Sequence, residues 1–216
     1  MLSVATETLG GTGRLLCVGA HSDDLEIGCA GTVLKLVAIN SQLTVDWVVL
    51  SASGQRAAEA RESASRLLGD VAEARVVVEN FRERYFPYDA ALKEFFDELG
   101  RDLAPDLVLT PWRGDAHQDH RVVAELAGNT FRDQLILQYE IPKYDGDLGR
   151  PNVYVQLDEQ TCRQKVANIL DSFPSQKERH WFSDDTFWAM LRLRGIESQA
   201  PSGYAEAFHC HKLVLL

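Results

Sequence analysis

Short apolar runs and helix-length polar segments take turns along this sequence, and few architectures accommodate that rhythm. The stretches 14–20 (RLLCVGA), 43–50 (LTVDWVVL), 75–79 and 106–110 (DLVLT) are apolar runs of the kind that buried strands show. Between them lie helix-length segments at 29–39, 55–68 and 88–103, of which QRAAEARESASRLL is rich in helix formers and closes at Gly69, a plausible helix C-cap. Strand and helix in alternation imply βαβ units, a parallel sheet and right-handed crossovers.

Further on, the pattern predicts a helix over 118–127, strands over 135–141 and 153–157, helices over 159–173 and 185–193, and a closing strand over 212–216. The turn-rich stretch 142–152 reads as a loop at the rim of the sheet, bordering the active site. No repeat or linker interrupts the chain, so one domain over 1–216 is expected.

Composition narrows the function classes. The 216 residues carry 32 acidic and 22 basic side chains, a net charge of −10, which argues against a large nucleic-acid footprint and against acidic membranes as partners. No apolar run approaches the roughly eighteen residues of a membrane span, and 1–13 lacks the basic and apolar regions of a signal peptide, so a cytoplasmic address without membrane insertion is expected. Cys17, Cys29, Cys162 and Cys210 show no CxxC spacing and read as reduced, mostly packed thiols. The Gly-rich tract 9–13 precedes a strand instead of following one, and no phosphate loop or GxSxG elbow is present, so nucleotide binding and serine hydrolysis lack support.

Functional groups concentrate in two places, AHSDDLEIGCAGT (20–32) after the first predicted strand and PWRGDAHQDHR (111–121) after the strand DLVLT. Both should open at the carboxyl edge of the sheet, where α/β proteins bind ligands. Together they hold three of the six histidines, His21, His117 and His120, with Asp23, Asp24, Asp115 and Asp119. Two imidazoles and one carboxylate form the usual protein ligand set of a catalytic zinc, with the fourth position left for water. Asp23 and Asp24 are adjacent and diverge, so one can bind metal while the other holds the water. Taken alone, Asp23, Asp24 and Glu26 also fit simple capping of the following helix. The HxxH spacing alone is a weak pattern; the pairing of both clusters favours a metal site. Asp115 and Asp119 suit the other ring N–H groups of ligating histidines. His209-Cys210-His211 resembles a metal tract by composition, but in a strand its two histidines point away from Cys210.

The segment His21-Ser22-Asp23-Asp24-Leu25-Glu26, with Gly28, Gly31 and Thr32, resembles the His-Pro-Asp-Asp-x-Glu signature of the PIG-L/LmbE family of zinc-dependent N-acetylglucosaminyl deacetylases. His117-Gln118-Asp119-His120 is similar to that family's His-Pro-Asp-His motif, and 62–69 and, weakly, 204–208 extend the likeness. Ser22 and Gln118 stand where the family commonly has proline, a change that removes no ligand atom.

The resemblance implies a Rossmann-like three-layer α/β fold with a mostly parallel central sheet. It further implies zinc held by His21, Asp24 and His120, Asp23 as general base, and a protonated His117 assisting at the oxyanion and leaving group of an N-acetyl amino sugar. Ferrous iron also suits such a ligand set. Arg56 is a candidate substrate contact, as are Glu140 and Tyr144 for sugar hydroxyls and Trp181 and Trp188 for stacking on a ring. A small-molecule amino-sugar substrate is the expected partner, and a homo-oligomer is left open. Two rivals remain at this point, a metal-dependent hydrolase of another amide or an ester, and a non-catalytic sugar-binding module.

Overall fold

The computed structural model of the chain describes residues 13–214. Seven strands, β1 (Arg14–His21), β2 (Thr44–Ser51), β3 (Glu73–Val78), β4 (Leu107–Pro111), β5 (Leu135–Tyr139), β6 (Val153–Leu157) and β7 (Tyr204–Cys210), form one sheet of order β3-β2-β1-β4-β5-β7-β6. The first five run parallel, and β7 lies antiparallel between β5 and β6. The helices are α1 (Asp24–Ile39), α2 (Gly54–Leu67), α3 (Ala90–Asp102), α4 (Gln118–Thr130), α5 (Glu159–Ser172) and α6 (Asp184–Glu197). The expected α/β fold with helices on both faces of a mostly parallel sheet is therefore present.

Alternation along the strands divides the core in two. Leu15 and Cys17 of β1, with Trp47 of β2 and Leu109 of β4, pack with Leu25 and Val33 of α1, Ala60 and Ala64 of α2, and Ile169 of α5. Leu16, Val18 and Ala20, with Val48 and Val108, face the other way onto Phe96 of α3 and Val123 of α4. Successive side chains of a strand point to opposite faces, so a central strand covered on both sides must be apolar throughout. That requirement is why these strands read as unbroken apolar runs.

The order β2-β1-β4 places the site. The chain moves outward from β1 through β2 to β3 and then returns to add β4 on the other side of β1. The connections leaving β1 and β4 consequently diverge to opposite faces, opening a crevice at the carboxyl edge of the sheet.

Two boundaries differ from the sequence reading. Helix α1 begins at Asp24 and not at residue 29, with Ile27 N already bonded to Asp23 O at 3.1 Å. Its acidic and glycine-rich first turns read as loop, yet Asp24 through Val33 are all buried, so no solvent face marks the helix by period. The final strand is Tyr204–Cys210; of the run expected at 212–216, residues 212–214 are irregular and 215–216 lie outside the described residues, as does most of the leader 1–13. The more apolar KLVLL attracted the strand assignment, whereas the place between β5 and β6 belongs to a segment with Glu206 at its centre. All four cysteines are free, three of them buried.

Glu206 is there for a physical reason. Its carboxylate enters the hydrogen-bond ladder of α1, accepting from Gly31 N at 2.8 Å, Thr32 N at 2.7 Å and Thr32 Oγ1 at 2.6 Å. The Ile27 carbonyl accepts from Lys165 Nζ at 2.7 Å, and Lys165 pairs with Glu206 at 2.5 Å. A buried ion pair thus joins α1, α5 and β7 behind the site. Gly31 is needed there, because a Cβ would lie 2.9 Å from Glu206 and closer still to Leu157. Glu206→Ala should lower unfolding stability by about 3–5 kcal/mol by stranding the Lys165 charge, measured from urea midpoints. Replacing both partners by apolar residues of similar size should recover most of that loss.

Candidate active site

His21 is the last residue of β1, Ser22 and Asp23 make the turn, and Asp24 is the first residue of α1. Across the crevice, β4 ends at Pro111 and the connection runs through Asp115 to His117, the N-cap of α4, which places His120 in that helix's first turn. The capping alternative does not account for the acids of α1. Asp23 stands at the N-cap without a side-chain cap bond, and Asp24 Oδ2 reaches back to His21 N at 2.8 Å.

Three atoms converge between the loops. His21 Nδ1 lies 3.2 Å from His120 Nε2, Asp24 Oδ2 lies 3.3 Å from His120 Nε2, and Asp24 Oδ2 lies 3.5 Å from His21 Nδ1. A tetrahedral zinc with bonds of about 2.0–2.1 Å sets its ligand atoms about 3.3 Å apart, so this triangle is the size of one face of such a site. Nitrogens of His21, His117 and His120 also lie within 4.8 Å of one another, but His117 Nδ1 accepts from Asp119 N at 3.2 Å. That contact puts the proton of a neutral His117 on Nε2, making it a donor and leaving the tighter Asp24 triangle as the better metal set.

The ring nitrogens that face away from the triangle are also held. His120 Nδ1 meets Asp115 Oδ2 at 2.8 Å, and His21 Nε2 meets Asp119 Oδ2 at 3.4 Å. Asp115 is itself fixed by His117 N at 2.7 Å and Lys143 Nζ at 2.9 Å, and Asp119 by Arg84 N at 2.5 Å. Carboxylates behind ligating histidines fix the ring orientation and raise ligand basicity.

Electrostatics follow from burying this many charges together. Burial alone would lower His21, but the charge of Asp24 and the hydrogen bonds to Asp119 and Asp24 carry it to about 10. His120 is likewise pushed up to about 9, with Asp24 and Asp115 outweighing burial. Burial would raise Asp24, yet the two imidazoles hold it well below the usual carboxylate range. Asp23 moves the other way, raised by burial and by the charge of Asp24 against the pull of Arg56 and His21. His117 is lowered by burial and by the charges of His21 and His120, which favours a neutral Nε2–H donor over the imidazolium expected from sequence. Glu26, fully buried, is pushed up to about 8 by burial.

Of the proposed substrate contacts, only Arg56 adjoins this group. Its Nη2 lies 3.7 Å from Asp23 Oδ1 and its Nε donates to Ser22 Oγ at 3.1 Å. Glu140 is buried, and both its oxygens accept from Arg194, at 2.8 and 2.9 Å. Tyr144 is exposed, whereas Trp181 and Trp188 pack against the core. Sequence reasoning missed Lys143, which also pairs with Asp147 at 2.6 Å, and the connection 79–89, whose Phe86 stacks on His21 with centroids 6.3 Å apart. Neither carried a motif. The one available signal was the turn-rich stretch 142–152, read as a rim loop.

Solved structures with this fold include a conserved protein from Thermus thermophilus, 21% identical, with a TM-score of 0.74 over 95% of this chain and 97% of that one. The N,N'-diacetylchitobiose deacetylase of Pyrococcus horikoshii is 20% identical, with a TM-score of 0.67 over 95% and 89%. GalB, the 4-carboxy-2-hydroxymuconate hydratase of Pseudomonas putida KT2440, is 16% identical, with a TM-score of 0.76 over 94% and 98%. At these identities the likeness shows a shared fold. A family profile described as PIG-L, GlcNAc-PI de-N-acetylase, matches residues 16–131, more than half of the chain and including both motifs. The chain therefore belongs to the PIG-L family of metal-dependent N-deacetylases.

Proposed function

We propose that this chain is a zinc-dependent hydrolase that removes the N-acetyl group from an N-acetylglucosamine-type sugar or glycoconjugate in the cytoplasm, with the whole chain as one catalytic domain. The observation that carries the reading is the triangle of His21 Nδ1, Asp24 Oδ2 and His120 Nε2, with edges of 3.2–3.5 Å. The deacetylase neighbours support a sugar acetamide as substrate, among them the chitobiose enzyme and deacetylases of the antibiotics A40926 and teicoplanin. The same donor set accepts ferrous iron, so metal identity is part of the test.

His21, Asp24 and His120 would hold the metal, with Asp115 and Asp119 fixing the two rings. When bound, the metal supplies Lewis acidity toward a water and the amide carbonyl. Asp23, buried and raised in pKa, takes a proton from water as its oxygen attacks the acetamide carbon. His117 donates its Nε2–H to the carbonyl oxygen as negative charge builds there. Asp23 then returns its proton to nitrogen as the C–N bond breaks, so acetate and a free amine leave.

The experiment is elemental analysis of the wild type and His120→Ala, followed by assay of acetate release from N-acetylated sugars. About one equivalent of zinc or iron should be present in the wild type and lost in the variant. Asp23→Asn should retain the metal and lose kcat by about 10²–10⁴-fold. Full turnover in that variant would remove Asp23 from the reaction.

Metal affinity should also depend steeply on pH. Asp24 and the carboxylates behind the rings push His21 up to about 10 and His120 up to about 9 against the effect of burial, so near neutrality the pair holds protons that an incoming ion must displace. Zinc uptake at pH 7 should release protons, and affinity should rise on going from pH 7 to pH 8, measured by competition with a chelating dye. An affinity that is flat over this range would contradict the two-histidine ligand set.

A further inference from the structure

Ser22 stands at a position where the family motif carries proline, and its side chain is fully buried. A proline offers no side-chain acceptor. The Ser22 hydroxyl instead accepts from Arg56 Nε at 3.1 Å. Strands β1 and β2 pair in register up to His21 and Ser51, so the turns after them are neighbours in space. Gly54, at φ +54°, reverses the chain after β2 and begins α2 with Arg56 facing that turn.

The other two guanidinium nitrogens are occupied as well. Nη1 lies 3.4 Å from Glu83 Oε2 and Nη2 lies 3.7 Å from Asp23 Oδ1. A planar guanidinium is fixed by three contacts in a way that a single 3.7 Å ion pair cannot achieve for a side chain 31% exposed. We infer that Ser22 is a positioning residue that locks Arg56 against Asp23, so that Asp23 Oδ1 is drawn to the arginine and the other carboxylate oxygen handles the proton. The inference rests on the assignment of Asp23 as the proton-transfer group.

The second replaced proline behaves in parallel. Gln118 Nε2 donates to the carbonyl of Arg84, and the Arg84 amide donates to Asp119 at 2.5 Å. Arg84 adopts φ +67°, a left-handed conformation costly for a residue with a Cβ and sustained here by these two contacts. Ser22 through Arg56 and Glu83, and Gln118 through Arg84, thus tie the same connection, 79–89, to the two motif loops.

The test is a double-mutant cycle on the zinc-loaded enzyme with N-acetylglucosamine and N,N'-diacetylchitobiose, read together with solvent exchange of the Arg56 Nε–H in NMR spectra. Ser22→Ala should lower kcat about 3- to 10-fold with KM little changed, and Ser22→Thr, which keeps the hydroxyl, should restore it. Arg56→Gln should cost at least as much as Ser22→Ala, and the double variant should be no worse than Arg56→Gln, because Ser22 acts only through the arginine. Exchange of the Arg56 Nε–H should quicken about tenfold or more in Ser22→Ala, a readout that needs no turnover. Unchanged exchange, or losses that multiply in the double variant while Asp23→Asn is inactive, would overturn the role of Ser22 alone. Full activity of Asp23→Asn would instead overturn the assignment beneath it.

Discussion

Because β4 pairs with β1 on the side opposite β2, the ends of two strands far apart in sequence lie next to each other and their outgoing chains diverge. The two His/Asp clusters face each other because of that divergence. The end of β1 and the start of α1 deliver His21, Asp23 and Asp24, and the connection after β4 with the first turn of α4 delivers Asp115, His117, Asp119 and His120. A sheet that added β4 beyond β3 would contain the same residues with the two loops on different parts of its edge. The crevice also requires a rigid floor, supplied by two strands buried on both faces and by α1, which the Glu206–Lys165 pair holds at its midpoint.

Charge balance is the second organising constraint. Asp23, Asp24, Asp115 and Asp119 are all buried, and the cations that face them are His21, His120, Arg56 and Lys143. Asp24 and the carboxylates behind the two rings raise both imidazoles, so positive charge is favoured inside the triangle. A divalent ion held there would supply positive charge in place of imidazolium protons.

Fold likeness by itself does not identify the reaction, since the same architecture appears in a muconate hydratase and in sugar deacetylases. The family match carries that information, and it ends at residue 131. Lys143 and the 142–152 stretch lie beyond it, yet Lys143 grips Asp115 and Asp147 accepts from Ala116 N at 2.6 Å. Part of the frame behind His120 is therefore built by a segment that the shared motifs do not describe.

The residue pattern carries the strand and helix rhythm, the two clusters of His and Asp side chains and the carboxyl edge on which both open. These features are legible because they are local: alternation in a strand, i to i+3 spacing in a first helical turn, and a motif that directly follows a strand. Three-dimensional packing set the rest. It set the start of α1 at Asp24, because burial on all sides erases the amphipathic period, and it put β7 between β5 and β6 around Glu206. It turned Glu140 toward Arg194, brought Lys143 and Phe86 to the site, and gave Ser22 and Gln118 partners where sequence showed only two missing prolines. Those contacts join residues from different connections, and no pattern within one segment records which other segment the chain will lay against it.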